Sequence, residues 1–438
     1  MKFHSKQHLF SLFIILILVG TIPTTTSYTA PTNTQQKIHT ADQLYPTITY
    51  NPKIAAALAL INETTLGDIL ATLVSYAPRV TGNFGCQKSA EYMYDLFTTN
   101  GLTTRYHNWT AWGNRYNPRK YTGLNVEGTI PGTTNDLILF SAHYDGYKKG
   151  PAANDDASGT AAVVAAGLAL SQFTFNHTLK FIAFSGEEQG LLGSHAYAQE
   201  AYYRDENIVV DFQADMIGHA TTPEGGSQMG LVASEDVAWM LDAAETLTTT
   251  YNIGLTINKG NINREGYGGS DYFSFIEYNW EAIACWGGEH DPNMHTANDS
   301  FDNVNLSYLV KTTRMVVALL AYLADLQEFS PQITIESPRE GKLYFDGMEQ
   351  RNISDLKTIV INDLFIWTEV RYSSVPVERV EFYYDTHLEY TDTTAPFTWQ
   401  FNKHSLQTHR ITVIMYDQLG RKSTDFRDIR FINLLLKR

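Results

Sequence analysis

Two adjacent glutamates, Glu187 and Glu188, lie in the stretch "FSGEEQGLLGS", which overlaps the end of the apolar run "LKFIAF". A short apolar run of this kind predicts a buried strand, so both carboxylates fall where that strand ends. Neighbouring carboxylates repel each other, and burying either one is costly unless a positive charge compensates it. The pair therefore raises the question of which positive group lies opposite it.

Other polar side chains follow predicted strands in the same way. The strand in "LILFSAHYDG" ends in polar residues and is followed by "NDDASG", and later strands lead into "QADMIGH" and "EHDPNMHTAND". The histidines and carboxylates at these strand ends are His143, Asp145, Asp155, Asp156, Asp215, His290 and His295. Imidazole nitrogens and carboxylate oxygens without sulfur suit Zn²⁺ or a related divalent ion. Two such ions about 3.5–4 Å apart, bridged by a shared carboxylate and a water, make a hydrolytic site.

Strands alternate with helices from about Pro52 to Ala324. The segments "SGTAAVVAAGLALSQF" and "LSYLVKTTRMVVALLAYLADL" predict helices, whereas "LKFIAF" and "IVVDFQAD" predict strands. This alternation predicts an α/β fold, with a mostly parallel sheet covered by helices on both faces. Ligands of such sheets bind beyond the carboxyl ends of the strands, which is where the polar residues lie.

Five segments, "SAHYDG", "NDDASG", "FSGEEQGLLGS", "ADM" and "MHTANDS", carry a family resemblance. Together they resemble the co-catalytic di-zinc exopeptidases, which include bacterial leucyl aminopeptidase, aminopeptidase Y and glutamate carboxypeptidase. Each segment alone is a weak signal, but the five occur in the right order, each at a predicted strand end. The resemblance spans about residues 55–325 and implies the zinc exopeptidase fold.

The resemblance implies two zinc ions and a set of ligands for them. His143 and Asp215 would bind one ion, Glu188 and His295 would bind the other, and Asp155 would bridge the two. The identity of the metal stays open, because Co²⁺ and Mn²⁺ can share ligands of these types.

The resemblance also assigns catalytic roles beside the ions. Glu187 would be the general base that takes a proton from the metal-bridging water. Asp145 lies two residues after His143, on the same side of an extended chain, and would accept the second ring N–H of that histidine. Tyr267, in "EGYGGSDYF", matches the family position whose phenol stabilises the oxyanion.

Two further expectations concern the loops around the bridging carboxylate. The family has a cis peptide bond after this residue, which places one between Asp155 and Asp156 in this chain. A second histidine, His290, precedes His295 in "GGEHDPNMH". The "HT" dipeptide followed by Asp299 favours His295 as the ligand.

These residues imply a metal-dependent exopeptidase, and we expect an aminopeptidase that acts on peptides or proteins with a free N-terminus. One alternative is an acyltransferase like glutaminyl cyclase, which has the same fold and uses one zinc ion. Another is a non-catalytic ectodomain, although such relatives typically lose ligands that are all present here. The choice between aminopeptidase and carboxypeptidase rests on the resemblance, and the side-chain preference has no readable signal.

The pattern changes after Pro331. Seven short alternating runs without helices, among them "QITIES", "VERVEFYYD" and "HRITVIMYD", predict an all-β sandwich of immunoglobulin-like type. We therefore expect a catalytic domain over residues 51–328 and an immunoglobulin-like domain over residues 331–438. The second domain is interpreted either as a binding module for a surface or polymer or as a stabilising appendage.

The N-terminus and the overall charge bear on location and partners. "MKFHSKQH" followed by "LFSLFIILILVG" is typical of a secretory signal, which predicts a signal peptide over residues 1–30 and a linker over 31–50. The chain is then secreted, or membrane-anchored if the signal is not cleaved. The net charge of −15 argues against nucleic acid as a partner. The two cysteines, Cys86 and Cys285, are read as buried thiols, with a disulfide between them as the alternative.

Overall fold

The computed structural model describes residues 48–432, apart from positions 114–117, 205, 235–236, 263–268, 279, 328, 330, 354–357, 374–375, 402, 404–406, 419 and 421. The predicted signal peptide and most of the predicted linker lie outside the described residues, and so does Tyr267. Secretion, cleavage of the signal and the role of Tyr267 therefore stay predictions.

The α/β part combines eight helices and eight strands within the described residues. The helices are α1 (Pro52–Leu60), α2 (Glu63–Ser75), α3 (Phe84–Thr99), α4 (Ala157–Leu170), α5 (Leu192–Tyr203), α6 (Trp239–Thr250), α7 (Tyr272–Glu277) and α8 (Leu306–Ala324). The strands are β1 (Thr103–Trp112), β2 (Lys120–Ile130), β3 (Leu137–His143), β4 (Thr178–Phe184), β5 (Ile208–Asp215), β6 (Gln228–Ala233), β7 (Thr256–Asn261) and β8 (Ala282–Gly287).

The eight strands form one mixed sheet in the order β1-β2-β4-β3-β5-β8-β6-β7. Its centre, β4-β3-β5-β8, is parallel, as the alternation of strands and helices predicts. The strands β1 and β2 add an antiparallel edge, and β6 runs antiparallel to β8. Crossover helices between parallel strands cover both faces of this sheet.

Side chains that alternate along the central strands supply two separate apolar layers. Ile138, Phe140 and Ala142 of β3 belong to the larger core, which also contains residues of α1, α2, α3, α4, α6 and α8. Leu137 and Leu139 of the same strand belong to a second core with α5 and α7. Helix α8 is long and apolar enough to cross a bilayer, but most of it is buried in the larger core.

The carboxyl ends of the central strands carry the polar residues that the sequence points to. His143 and Asp215 are the last residues of β3 and β5, and Glu187 follows the end of β4 by three positions. Helix α4 starts at Ala157, immediately after the "NDD" segment. Parallel strands thus bring these loops to one edge of the sheet.

The C-terminal part contains β-strands only, within the described residues. They are β9 (Gln332–Ser337), β10 (Lys342–Phe345), β11 (Met348–Asn352), β12 (Thr358–Ile361), β13 (Leu364–Tyr372), β14 (Val377–Tyr384), β15 (His387–Asp392), β16 (Thr398–Phe401), β17 (Thr408–Asp417) and β18 (Lys422–Ile432). A seven-stranded and a three-stranded sheet enclose a core of their own, with Val360, Ile366 and Phe382 among its buried residues. The expected all-β domain is confirmed, with three strands more than the seven predicted.

Candidate active site

Three of the predicted ligands form a first buried group. The Nε2 atom of His143 lies 3.3 Å from Oδ1 of Asp155 and 3.7 Å from Oδ1 of Asp215. All three side chains are buried, and their donor atoms lie within 4.8 Å of one another. The group offers one imidazole nitrogen and two carboxylates, a donor set that zinc accepts.

A second group shares Asp155 with the first. The Nε2 atom of His295 lies 3.1 Å from Oδ2 of Asp155 and 3.4 Å from Oε2 of Glu188. One oxygen of Asp155 thus faces each histidine. The structure brings together all five residues that the resemblance assigns as ligands, in the two sets that it assigns.

Atoms without hydrogen-bond partners indicate that a cation fits between these groups. Oδ1 of Asp215 and Oε1 of Glu188 are buried, and no described residue donates a hydrogen bond to them. Burial and the charge of Asp155 raise the pKa of Glu188 to about 7. Buried carboxylate oxygens without donors are costly, and a divalent cation would satisfy them.

Asp299 holds the backbone at Asp155, although the sequence pattern pointed to Asp299 only as support for His295 as a ligand. The carboxylate of Asp299 accepts hydrogen bonds from the backbone N–H groups of Asn154 (2.6 Å) and Asp155 (3.1 Å). The peptide bond between Asp155 and Asp156 is cis, which confirms the expectation from the family. The carboxylate of Asp155 therefore projects from a backbone segment that Asp299 holds through two hydrogen bonds.

Asp156 joins three elements that converge on the site. Its Oδ1 accepts hydrogen bonds from the N–H groups of Gly159, at the start of α4, and of Met216, just after β5. Its Oδ2 lies 3.4 Å from the N–H of His143, at the end of β3. This helix cap thus fixes two ligand-bearing strand ends against each other.

Glu187 is a partly exposed carboxyl beside this cluster. Its burial, together with the charges of Asp271, Asp215 and Asp145, outweighs the charge of His143 and raises its pKa well above the usual range. A carboxylate with a raised pKa is a better proton acceptor, which suits a general base.

The predicted contact of Asp145 is wrong in one detail. The Nδ1 atom of His143 lies 3.1 Å from the backbone carbonyl oxygen of Asp145, whereas the carboxylate Oδ1 is 3.8 Å away. The carboxylate is turned instead toward the hydroxyl of Thr81 (3.1 Å) and the N–H of Glu187 (3.2 Å). Asp145 still fixes the tautomer of His143, through its carbonyl oxygen, and its side chain supports the general base.

Arg79 is a buried cation that sequence reasoning did not identify. Its guanidinium donates hydrogen bonds to four backbone carbonyls, those of Tyr144 (2.8 Å), Leu73 (3.2 Å), Pro151 (2.8 Å) and Ala152 (2.8 Å). Among the described residues, no carboxylate forms an ion pair with it. Arg79 therefore ties together the loop between β3 and α4, which carries ligands at both ends.

Tyr147 covers the exposed side of the second group. Its ring stacks on the imidazole of His295, with centroids 4.6 Å apart and planes 19° from parallel. The side chain of His295 is 44% exposed, so this stacking limits the positions that the ring can take. No sequence pattern points to this contact, because the residues are 148 positions apart.

The other histidines that the sequence raised lie outside both groups. His290 belongs to neither group, whereas His295 belongs to the second, which agrees with the choice of His295. His219 is buried, with its Nδ1 atom 3.6 Å from Oδ1 of Asp291. His195 pairs with Glu277 at the surface.

Comparisons with known proteins agree with this geometry. Residues 125–320 match the model of a family described as "Peptidase family M28". This part of the chain is similar to peptidase family M28. The matched range contains all five members of the two groups, and the predicted resemblance to the co-catalytic zinc exopeptidases is confirmed. Residues 363–413, in the all-β part, match a family described as "Bacterial Ig domain".

Individual relatives match part of the chain at low identity. "Aminopeptidase YwaD" of Bacillus subtilis is 29% identical over 219 residues, which are 47% of this chain and 45% of the relative. The chain spans about half the length of the curated relatives it matches.

Solved structures share the fold. The LapA aminopeptidase of Legionella pneumophila aligns with a TM-score of 0.56 and 22% identity, over 70% of this chain and 81% of LapA. A glutaminyl cyclase of Bacteroides thetaiotaomicron aligns with a TM-score of 0.51 and 16% identity, over 60% of this chain and 98% of the cyclase. The fold is therefore common to an aminopeptidase and a glutaminyl cyclase, and the chemistry has to be argued from the site.

Proposed function

We propose that the chain is a metal-dependent aminopeptidase that removes N-terminal residues from peptides. One observation carries the proposal: two complete three-ligand groups share the carboxylate of Asp155. A shared carboxylate between two ligand sets is the arrangement of two-metal hydrolytic sites. Support also comes from the M28 family match and from relatives named as aminopeptidases.

The residues would divide the work as follows. His143, Asp155 and Asp215 would hold one zinc ion, and Asp155, Glu188 and His295 would hold the second. Bound zinc would polarise the scissile carbonyl and lower the pKa of the attacking water. Glu187 would take the proton from this water and pass it to the leaving amine. The backbone contacts of Asp145 and Asp299 would keep these side chains in place.

The test begins with Glu187→Gln in the full chain. Glutamine keeps the shape of the side chain but cannot accept the proton, so kcat should fall by on the order of a hundredfold or more. Metal content should stay at the wild-type value, because Glu187 is in neither ligand group. Hydrolysis of aminoacyl 4-nitroanilides, with metal analysis of the same samples, gives both values.

The exposed Glu277 supplies a matched control, since Glu277→Gln makes the same change away from the site. Full activity in Glu187→Gln would contradict the assigned base. An unchanged rate on peptides with blocked N-termini would contradict the aminopeptidase.

The acyltransferase alternative differs in metal content. It predicts about one zinc ion per chain and cyclisation of N-terminal glutamine, whereas the aminopeptidase predicts two ions. The complete second group, Asp155, Glu188 and His295, favours two. Metal analysis of the wild-type protein separates the two functions.

A further inference from the structure

The turn that carries Glu187 and Glu188 is closed by a side chain from a neighbouring strand. Asn125 lies in the middle of β2 and is fully buried. Its Oδ1 accepts a hydrogen bond from the N–H of Ser185 (3.1 Å), and its Nδ2 donates one to the carbonyl of Gly193 (2.8 Å). One amide group thus joins the start and the end of the segment 185–193.

These two contacts fix the orientation of the Asn125 amide. A backbone N–H can only donate and a backbone carbonyl can only accept, so Oδ1 must face Ser185 and Nδ2 must face Gly193. The second hydrogen of Nδ2 points to Nδ1 of His107, 2.9 Å away. Nδ1 must therefore be an unprotonated acceptor, and the ring proton lies on Nε2.

The surroundings of His107 agree with this tautomer. Its Nε2 lies 3.3 Å from Oε2 of Glu200, which can accept the ring proton. Burial lowers the pKa of His107, opposed by the charge of Glu200, while Arg105 and Arg204 lower it further and Glu127 raises it. The ring is therefore neutral at pH 7, as the contact with Asn125 requires.

Tight packing leaves little freedom at the two ends of the turn. A Cβ atom at Gly193 would overlap the carbonyl of Ser185 and crowd the Asn125 amide. The hydroxyl of Ser185 donates a hydrogen bond to the carbonyl of Leu124 (2.8 Å) and lies 3.1 Å from Nε1 of Trp109. A backbone hydrogen bond from the N–H of Leu192 to the carbonyl of Gly186 (2.9 Å) also closes the turn, and the amide of Asn125 adds a side-chain link between its two ends.

We propose that Asn125 is a positioning residue, which holds the turn 185–193 so that Glu187 and Glu188 keep their places, and that the neutral ring of His107 fixes the amide of Asn125. The proposal rests on the proposed function for the roles of the two glutamates. Asn125 itself touches neither ligand group.

The main variants are Asn125→Ala and Asn125→Asp. Asn125→Ala removes the hydrogen bonds to Ser185 and Gly193, whereas Asn125→Asp keeps the shape of the side chain but replaces the Nδ2 donor by an oxygen. Both should lower kcat by on the order of tenfold to a hundredfold, because small misplacements of catalytic groups have effects of this size. KM should change much less, since Asn125 does not bind substrate. Binding of one of the two metal equivalents should weaken, because Glu188 moves with Glu187.

A histidine pair tests the second half of the proposal. His107→Gln supplies an uncharged side chain whose amide oxygen can accept from Asn125, and it should retain most of the wild-type kcat. His107→Leu has similar bulk but no acceptor, and it should resemble Asn125→Ala. If both His107 variants behave alike, the ring does not orient the amide.

A control separates positioning from general destabilisation. Asn176 also joins backbone segments through its amide, which donates to the carbonyls of Asp325 and Leu326, away from the site. Asn176→Ala should lower the melting temperature but leave kcat and both metal affinities unchanged.

Hydrogen exchange of peptides covering residues 185–193 gives a readout that does not depend on activity. Exchange in this segment should be faster in Asn125→Ala than in the wild type and unchanged in Asn176→Ala. If exchange is faster in Asn125→Ala than in the wild type but the wild type has no peptidase activity, the proposed function fails and the positioning role stands. If exchange, kcat and metal affinity of Asn125→Ala and Asn125→Asp all match the wild type, the positioning role is overturned.

Discussion

The protonation of Asp155 shows how single side chains set the charge of this site. Burial alone would raise the pKa of this carboxyl, but hydrogen bonds and charges from His143 and His295 outweigh it and hold the pKa below its usual range. Glu188, with a raised pKa, lies at the same cluster. The site thus holds more carboxylates than the two histidines can balance, which makes it a strong attractor for divalent cations.

Tyr147 leads to a prediction about metal affinity. Tyr147→Ala removes the ring that stacks on His295, so the second ligand group should bind its ion about tenfold more weakly, as is typical when support of a ligand is lost. Competition with a chelator measures this affinity. Tyr147→Phe keeps the stacked ring and serves as the control. Equal affinities in the Ala and Phe variants would contradict a role for the stacking.

At the residue scale, local motifs predicted the candidate ligands that the structure brings together, but not the residues that support them. His143, Asp155, Asp215, Glu188 and His295 could be found because each lies in a short segment typical of the family. Asn125 and Arg79 could not be found, because each acts through backbone groups that are distant in sequence. The contact of Asp145 was wrong because spacing does not distinguish a carbonyl from a carboxylate as the acceptor.

The two central strands carry a column of buried polar groups beneath the ligands. Side chains two residues apart on a strand share a face, so Asp211 and Gln213 of β5 lie in line with the ligand at its end. The hydroxyl of Ser141 donates a hydrogen bond to Asp211 (3.0 Å), and the amide of Gln213 donates one to Ser270 (2.8 Å). The strands β3 and β5 thus carry buried polar side chains on one face, up to four residues before the candidate ligand at the end of each strand.

Asp211 gives a prediction for stability against pH. Burial raises its pKa to about 8, far above the value of about 3.9 in an unfolded chain. The folded state therefore keeps a proton that the unfolded state releases, so this group makes the protein less stable as pH rises from about 4 to about 8. Asp211→Asn lacks this effect.

The measurement for Asp211 is the melting temperature of both proteins across that pH range. The difference between Asp211→Asn and the wild type should move in favour of the variant as pH rises, and should level off above about pH 8. A difference that stays constant with pH would show that the carboxyl is not buried in its neutral form.

At the element scale, the sequence predicted the central strands and long helices better than the edges. The centre of the sheet consists of apolar runs, whereas β1 reads "TTRYHNWTAW", a polar strand with few buried positions. Its pairing with β2 depends on tertiary contacts that periodicity does not report. The prediction of a mostly parallel sheet is confirmed, since four of the seven strand pairs are parallel, but periodicity did not report the antiparallel pairs.

The whole molecule contains separate cores for its two parts. The buried residues of the all-β part form one cluster, and those of the α/β part form others. All described site residues lie in the α/β part. We therefore expect that deletion of residues 331–438 leaves a folded protein whose kcat/KM on small aminoacyl substrates is close to that of the full chain.

Circular dichroism and kinetics on the deletion variant check this expectation. A folded variant with little activity on small substrates would show that the C-terminal part supports the site. Normal activity on small substrates, with weaker binding to a polymer or surface, would support the binding-module interpretation over the stabilising appendage.

The hydrogen bonds of Arg79 have a consequence for metal binding and release. Three carbonyl oxygens of the loop between β3 and α4 accept hydrogen bonds from Arg79, and a fourth acceptor is the carbonyl of Leu73 in α2. The backbone N–H of Asp155 is held by Asp299. These fastenings do not involve the ligand side chains. We therefore expect the candidate ligands to keep their positions without an ion, so that a metal-free protein can take up a different metal without refolding.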